Sequence, residues 1–166
     1  PCASAEIIRN HVLDGLDLAK RYRLPSQVRA FINEHHGDGL ISFFYHQAIE
    51  AAGGDASKVD EKLFRYVGPK PQSRETALLM LADTAEAIVK SKRPGSVAEL
   101  EALVDKAVKI RMDQGQLNEC DLTLHDLYLV RQSFVDTLKG LYHTRIEYPE
   151  PKASAPAQSK APAPVE

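Results

Sequence analysis

A chain of 166 residues, 43% hydrophobic and 27% charged, is the size of one ordinary globular domain and carries enough apolar side chain for a real core. Its formal net charge of -2 gives no basic footprint for DNA, RNA or an anionic membrane surface. Cys2 and Cys120 lie far apart without metal-type spacing, which predicts reduced thiols in a cytosolic setting and not a disulfide framework.

No apolar run approaches the roughly 20 residues a membrane span needs, and no signal peptide is visible, so this segment is expected to be soluble. The sequence starts at Pro1 with no methionine, which reads as a segment excised from a longer protein whose remainder holds a targeting or membrane region.

Helical spacing dominates in chain order. Ile7, Ile8, His11, Gly15, Leu18 and Tyr22 recur at that spacing, which predicts a first helix from about Ala3 to Tyr22 with His11 on its inward stripe. Pro25 suits the first turn of a second helix whose apolar face is Val28, Phe31, Ile32 and His35, stopped by Gly37. Asp38 can cap a third helix over Gly39 to Ala52, with Leu40, Phe43, Phe44 and Ile49 as burial candidates.

Asp55 to Gln72 lacks clear periodicity, and its Gly/Pro breakers among aromatics and cations predict an ordered loop. Ser73 with Glu75 and Thr76 opens a fourth helix running to about Ser91, apolar nearly all round and therefore buried. Ser96 with Glu99 reads as a capping box for a fifth helix. Asp121 or Thr123 starts the last one, ending near Tyr148-Pro149, with Leu124, Leu127, Phe134, Val135, Leu138, Leu141 and Tyr142 inward.

From Pro151 to Glu166 the chain is Pro, Ala, Ser and Lys with almost no core former, which predicts a disordered tail behind one folded unit over residues 1–150. No internal repeat and no convincing strand is present. The fold class expected is all-α.

Chemistry concentrates in Glu34-His35-His36-Gly37, with His11 on the preceding helix and Asp83 inside the apolar run Ala77 to Asp83. Neutral imidazole ligates transition metals and a carboxylate adds charge, so a His/Asp set suits iron, manganese or zinc better than calcium. Adjacent helical residues point about 100° apart, so His35 and His36 play different parts, with His35 continuing the apolar stripe as the direct ligand. An unpaired Asp83 in such a helix would cost several kcal/mol and calls for a cation.

Each residue also has an ordinary reading. A histidine on an apolar stripe is often a hydrogen-bonded core residue, a helix C-terminus favours His, and Asp83 could pair with a buried arginine or cap a neighbouring helix. His46, His125 and His143 read as surface or structural. Arg65, Lys70 and Arg74 sit in a breaker-rich region where cations bind phosphate or are simply solvated. Spacing alone supports a helical domain with a candidate metal site.

Taken together, several segments resemble the HD-superfamily phosphohydrolase domain of the seven-transmembrane HD receptors. These are Ile7-Ile8 through His11-Val12 and Gly15, Glu34-His35-His36-Gly37 with Phe44-Tyr45-His46, Phe64-Arg65-Tyr66, Gly68-Pro69-Lys70-Pro71-Gln72, and Leu79-Met80-Leu81-Ala82-Asp83. Asp113-Gln114-Gly115-Gln116-Leu117, Cys120-Asp121-Leu122-Thr123 and the stretch from Tyr142-His143 to Ile146-Glu147-Tyr148-Pro149-Glu150 fit the same pattern.

The resemblance implies an HD-domain-like helical bundle, incomplete at its N-terminus, with residues 1–150 as the C-terminal portion of the domain. It implies metal-assisted hydrolysis of cyclic di-AMP to the linear dinucleotide, on the cytoplasmic side of a membrane receptor. Membrane attachment would run only through an N-terminal transmembrane region outside this chain.

Two divalent transition-metal ions, iron or manganese, are implied. By position His11, His35, His36 and Asp83 resemble metal ligands, with no catalytic residue separate from them. Arg65 and Lys70 are candidate phosphate contacts on their chemistry alone. The His and the His-Asp doublet that the family places upstream of His11 are absent, so the segment by itself is expected to be inactive. A non-catalytic helical regulatory module, or an HD hydrolase acting on cyclic di-GMP or another nucleotide phosphate, are the alternatives.

Overall fold

A computed structural model describes residues 1–142. Among these residues the chain is all helical. Its elements are α1 (Cys2–Arg21), α2 (Ser26–Glu34), α3 (Ser42–Ala51), α4 (Arg74–Lys92), α5 (Val97–Asp113) and α6 (Leu124–Tyr142), with 3-10 turns at Ala56–Lys58 and Glu61–Phe64. The expected tail from Pro151, the end of the last helix near Tyr148-Pro149, and His143 lie outside the described residues. No described helix is long and apolar enough to cross a membrane.

The helices form two groups. α4, α5 and α6 pack in sequence order around Ala85, Val89, Leu100, Val104, Ala107 and Leu138. The second group sets α1 against α2 and α3, with Ala5, Ile41 and Phe64 at its centre, and the packing of α2 on α4 joins the two. Phe64, fully buried, anchors the aperiodic stretch to this second core. The backbone there pairs briefly, Leu40 bridging Arg65 antiparallel, with Ile41 N–H donating to the Phe64 carbonyl at 2.7 Å and Tyr66 N–H to the Gly39 carbonyl at 3.0 Å. That pairing engages the backbone of residues 39–41 outside a helix, so α3 begins at Ser42 and not at Gly39.

Capping chemistry sets the starts of α4, α5 and α6. Ser73 Oγ accepts from Thr76 N–H at 3.2 Å while Ser73 N–H donates to Thr76 Oγ1 at 3.3 Å, a closed box in which Thr76 does the work expected of an acidic residue. Ser96 Oγ accepts from Glu99 N–H at 3.2 Å, and the Glu99 carboxylate reaches one residue further back, to Gly95 N–H at 2.8 Å. Thr123, not Asp121, caps α6. Its hydroxyl accepts from Asp126 N–H at 3.1 Å and Asp126 returns the bond to Thr123 N–H at 2.9 Å.

Several expected inward residues face outward. On α1, Ile7, Leu18 and Tyr22 are 73%, 52% and 70% exposed, while Ala5, Val12 and Ala19 are buried. The stripe is rotated because small residues let α2 approach closely: a Cβ on Gly15 would stand 3.0 Å from Ile32 Cγ2. Phe43 on α3, and Leu124 and Leu141 on α6, are also exposed. α4 is not buried all round, since Leu79 and Asp83 open outward and only the face through Ala77, Met80, Leu81, Thr84, Ala85 and Val89 is covered.

Candidate metal centre

α1 brings His11, and the C-terminal end of α2 brings His35 and His36, to one place. One nitrogen from each imidazole lies within 4.8 Å of the others. Local hydrogen bonds fix two of the rings. His11 Nδ1 donates to the carbonyl of Ile8 and His35 Nδ1 to that of Ile32, the latter at 2.8 Å, each one turn back on its own helix. A carbonyl only accepts, so both Nδ1 atoms carry a proton, and in the neutral rings both Nε2 atoms present lone pairs. Those two Nε2 atoms face each other at 3.3 Å. Two lone pairs so placed repel, and a cation between them removes the conflict.

His36 completes the set. Burial, reinforced by His35, His11 and Arg111, pushes its pKa down to about 3, so it is a neutral imidazole at pH 7. Tyr66 stacks on it at 4.2 Å and 17° between ring planes, and burial helped by Asp83 pushes the Tyr66 phenol up to about 12. His36 Nδ1 is buried without a hydrogen-bond partner. Asp83 Oδ2 lies 3.8 Å from it, too long for a hydrogen bond, and a neutral His36 forms no ion pair. An orphaned ring nitrogen, two opposed lone pairs and a nearby carboxylate together make a donor set that fits a divalent transition metal.

Asp83 is not the deeply placed carboxylate that its apolar neighbours suggest. Its side chain is 44% exposed on the open face of α4. The apolar run around it belongs to the opposite face of the helix, so burial does not call for a cation there; proximity to the imidazoles does.

The turn that carries the histidine pair is held from below. Gly37 takes φ +55, and its missing Cβ leaves room for Gln116 Oε1 and for Met80 Cε at 3.2 Å. Gln116, 1% exposed, donates Nε2–H to Asp38 Oδ1 at 2.6 Å, and Arg65 donates to the Asp38 carbonyl at 2.9 Å. Glu34, 7% exposed, accepts from Gln72 N–H at 2.8 Å and ties the 68–72 loop to the end of α2.

Of the two candidate phosphate cations, Arg65 has its guanidinium engaged, pairing with Glu61 at 2.6 Å as well as with Asp38. Lys70 is half-buried and makes no ion pair among the described residues; its ammonium stands beside the Gly115 turn. Arg74 lies 3.8 Å from Asp126, away from the imidazoles. His46 and His125 are exposed. The sequence does contain one His-Asp dipeptide, His125-Asp126, but its Asp126 closes the α6 cap and does not join the cluster.

Sequence reasoning missed Tyr66, Gln116 and Arg111. Arg111 comes from α5: its Nε–H donates to Thr84 Oγ1 at 2.8 Å and Nη1–H to Gln114 Oε1 at 3.2 Å. Burial pulls its guanidinium below the ordinary value while Asp83 and Tyr66 draw it back up. Tyr66 lies within the Phe64-Arg65-Tyr66 triplet, the one signal available for it.

No family model matches the chain. It is 40% identical over 150 residues to the cyclic-di-AMP phosphodiesterase PgpH of Bacillus subtilis, covering 90% of this chain and 20% of that protein. It is 43% identical over 163 residues to an uncharacterised Synechocystis protein, slr0104, covering 98% of this chain and again 20% of the relative. The chain thus spans about a fifth of the length of these relatives.

Among solved structures, the HD domain of the Listeria monocytogenes phosphodiesterase PgpH matches with a TM-score of 0.77 at 34% identity, over 86% of this chain and 65% of that one. The same domain in complex with cyclic-di-AMP matches with a TM-score of 0.80 at 35% identity, over 89% of this chain and 68% of that one. An identity of 35% across more than two thirds of that solved domain, in the same helical fold, places the chain in the family of HD phosphodiesterase domains.

Proposed function

We propose that residues 1–150 are the C-terminal portion of a metal-dependent HD phosphodiesterase domain that hydrolyses a cyclic dinucleotide, cyclic di-AMP to the linear form. The parent is a membrane receptor with this domain on the cytoplasmic side. The observation that carries the metal reading is the opposed Nε2 pair of His11 and His35 beside the orphaned His36 Nδ1 and Asp83. The substrate follows from the PgpH relatives and from the Listeria domain complexed with cyclic-di-AMP.

In this reading His11, His35, His36 and Asp83 hold metal, iron or manganese, with two ions in the complete domain. The bound metal supplies Lewis acidity toward the phosphodiester and activates water. The chain's own residues orient that chemistry: the Ile8 and Ile32 carbonyls fix the imidazole tautomers. Tyr66, protonated at neutral pH, closes one side of His36. Lys70, on the loop that Glu34 secures, is a proposed phosphate contact; Arg65, already paired, is the weaker one. Because the family's upstream His and His-Asp doublet are not in these 166 residues, the segment alone binds metal without turnover.

The test is metal content with turnover of cyclic di-AMP and cyclic di-GMP in the full-length protein. Cyclic di-AMP turnover that disappears, together with bound iron or manganese, in His35→Asn and His36→Asn is the expected result. Unchanged metal content in both variants would refute the site. Full metal content with faster cleavage of cyclic di-GMP would move the substrate and leave the site.

A further inference from the structure

We propose that Arg111 is a phosphate-binding residue of this centre, its guanidinium taking a non-bridging oxygen of the scissile phosphodiester. The inference rests on the phosphodiesterase reading and extends it to a residue on α5.

The geometry is specific. Thr84 spends its hydroxyl proton on the Met80 carbonyl at 2.7 Å, so toward Arg111 its oxygen can only accept, and the guanidinium edge is oriented by that bond. Thr84 follows Asp83 directly, which puts the guanidinium at the level of α4 where Asp83 opens outward. On its other side, Nη1 stands 3.0 Å from where a Cβ on Gly39 would lie, just past the histidine-bearing turn. Arg111 therefore sits between the two elements that carry His36 and Asp83.

Its charge is felt by Asp83 but is not paired by direct contact among the described residues. No carboxylate among the described residues forms an ion pair with Arg111; its hydrogen-bond acceptors are a hydroxyl and an amide, both neutral. A half-buried guanidinium whose hydrogen bonds all go to neutral acceptors keeps charge that an arriving anion can take up. Arginine has no lone pair to offer a metal, and a fixed positive charge opposes metal binding nearby, so stabilising the cation is not its purpose. An arriving phosphate resolves both conflicts, since it is drawn to the metal and to a planar fork of donors matched to its oxygens.

The experiment uses the full-length protein with R111Q and R111K, measuring Mn2+ affinity, inorganic phosphate affinity of the Mn2+-loaded protein, and KM and kcat for cyclic di-AMP. Losing a charged hydrogen bond to phosphate weakens binding by about 10- to 100-fold. R111Q should show that loss in phosphate affinity and KM with Mn2+ affinity unchanged or tighter, and R111K a smaller loss.

Phosphate affinity at the wild-type level in R111Q overturns the assignment, as does Mn2+ affinity falling in step with it, which would make Arg111 a scaffold. Should R111Q fail to fold, a folded R111K with wild-type phosphate affinity overturns it equally. If the wild type cleaves no cyclic dinucleotide yet R111Q still loses phosphate, the phosphodiesterase reading fails and the anion site stands. Normal turnover with unmoved KM in R111Q sinks Arg111 alone.

Discussion

Gly37 is where a single atom decides the centre. A methyl group there would meet a left-handed backbone, costing roughly 1–2 kcal/mol in an L-residue, and would also collide with the buried Gln116 amide. Gly37→Ala is expected to destabilise the fold by about 1–3 kcal/mol in urea denaturation and to weaken metal binding, because relief of the collision moves His36. Equal stability of variant and wild type would mean the turn relaxes freely.

Much at this scale was legible. A histidine on one helix and a His-His-Gly terminus on the next are visible as letters, and the structure brings His11, His35 and His36 together. The expected burial of Asp83 fails because a run of apolar letters does not say which face of a helix is covered. Arg111 and Tyr66 escaped because a cation on an amphipathic helix and an aromatic in a loop acquire meaning only when α5 crosses α4 and when Phe64 pins residue 66 beside His36.

Among elements, the side-chain-capped starts of α4, α5 and α6 are more legible than helix faces, whereas α3 starts at Ser42 without the expected Asp38 cap. Caps are local chemistry, so Ser73, Ser96 and Thr123 each announced a boundary within a residue or so of where it occurs. Faces depend on what packs against them. The α1 stripe was placed on its large apolar residues, whereas contact runs through Ala5, Val12 and Ala19 with Gly15 admitting Ile32.

The α6 cap has a measurable consequence. Bonds from Thr123 N–H and its hydroxyl hold the Asp126 carboxyl below its ordinary value of 3.8. A carboxyl depressed in the folded state stabilises above the unfolded value, and that contribution is lost as pH falls through the folded one. Thermal melts below about pH 4 should therefore show Asp126→Asn losing less stability than wild type over the same interval. Parallel acid limbs for the two proteins would show that the cap does not couple to pH.

For the whole molecule, the two helical groups meet through α2 on α4, so the candidate centre lies along the seam and draws residues from both. The outward Ile7, Tyr22, Phe43, Leu124 and Leu141 show that the described surface is more apolar than the sequence pattern implied.

The rings of His11 and His35 each lean on a carbonyl of their own helix, so neither helix needs the other to aim its imidazole; only their docking brings the two nitrogens face to face. Under the metal reading an ion bridging that gap works as a clasp on the α1–α2 hairpin, and its binding energy becomes resistance to local opening. Amide hydrogen exchange along α1 should slow when Mn2+ is added and recover with chelator, while α5 and α6 stay unmoved. Uniform slowing across all helices, or none, would mean the ion does not fasten that hairpin.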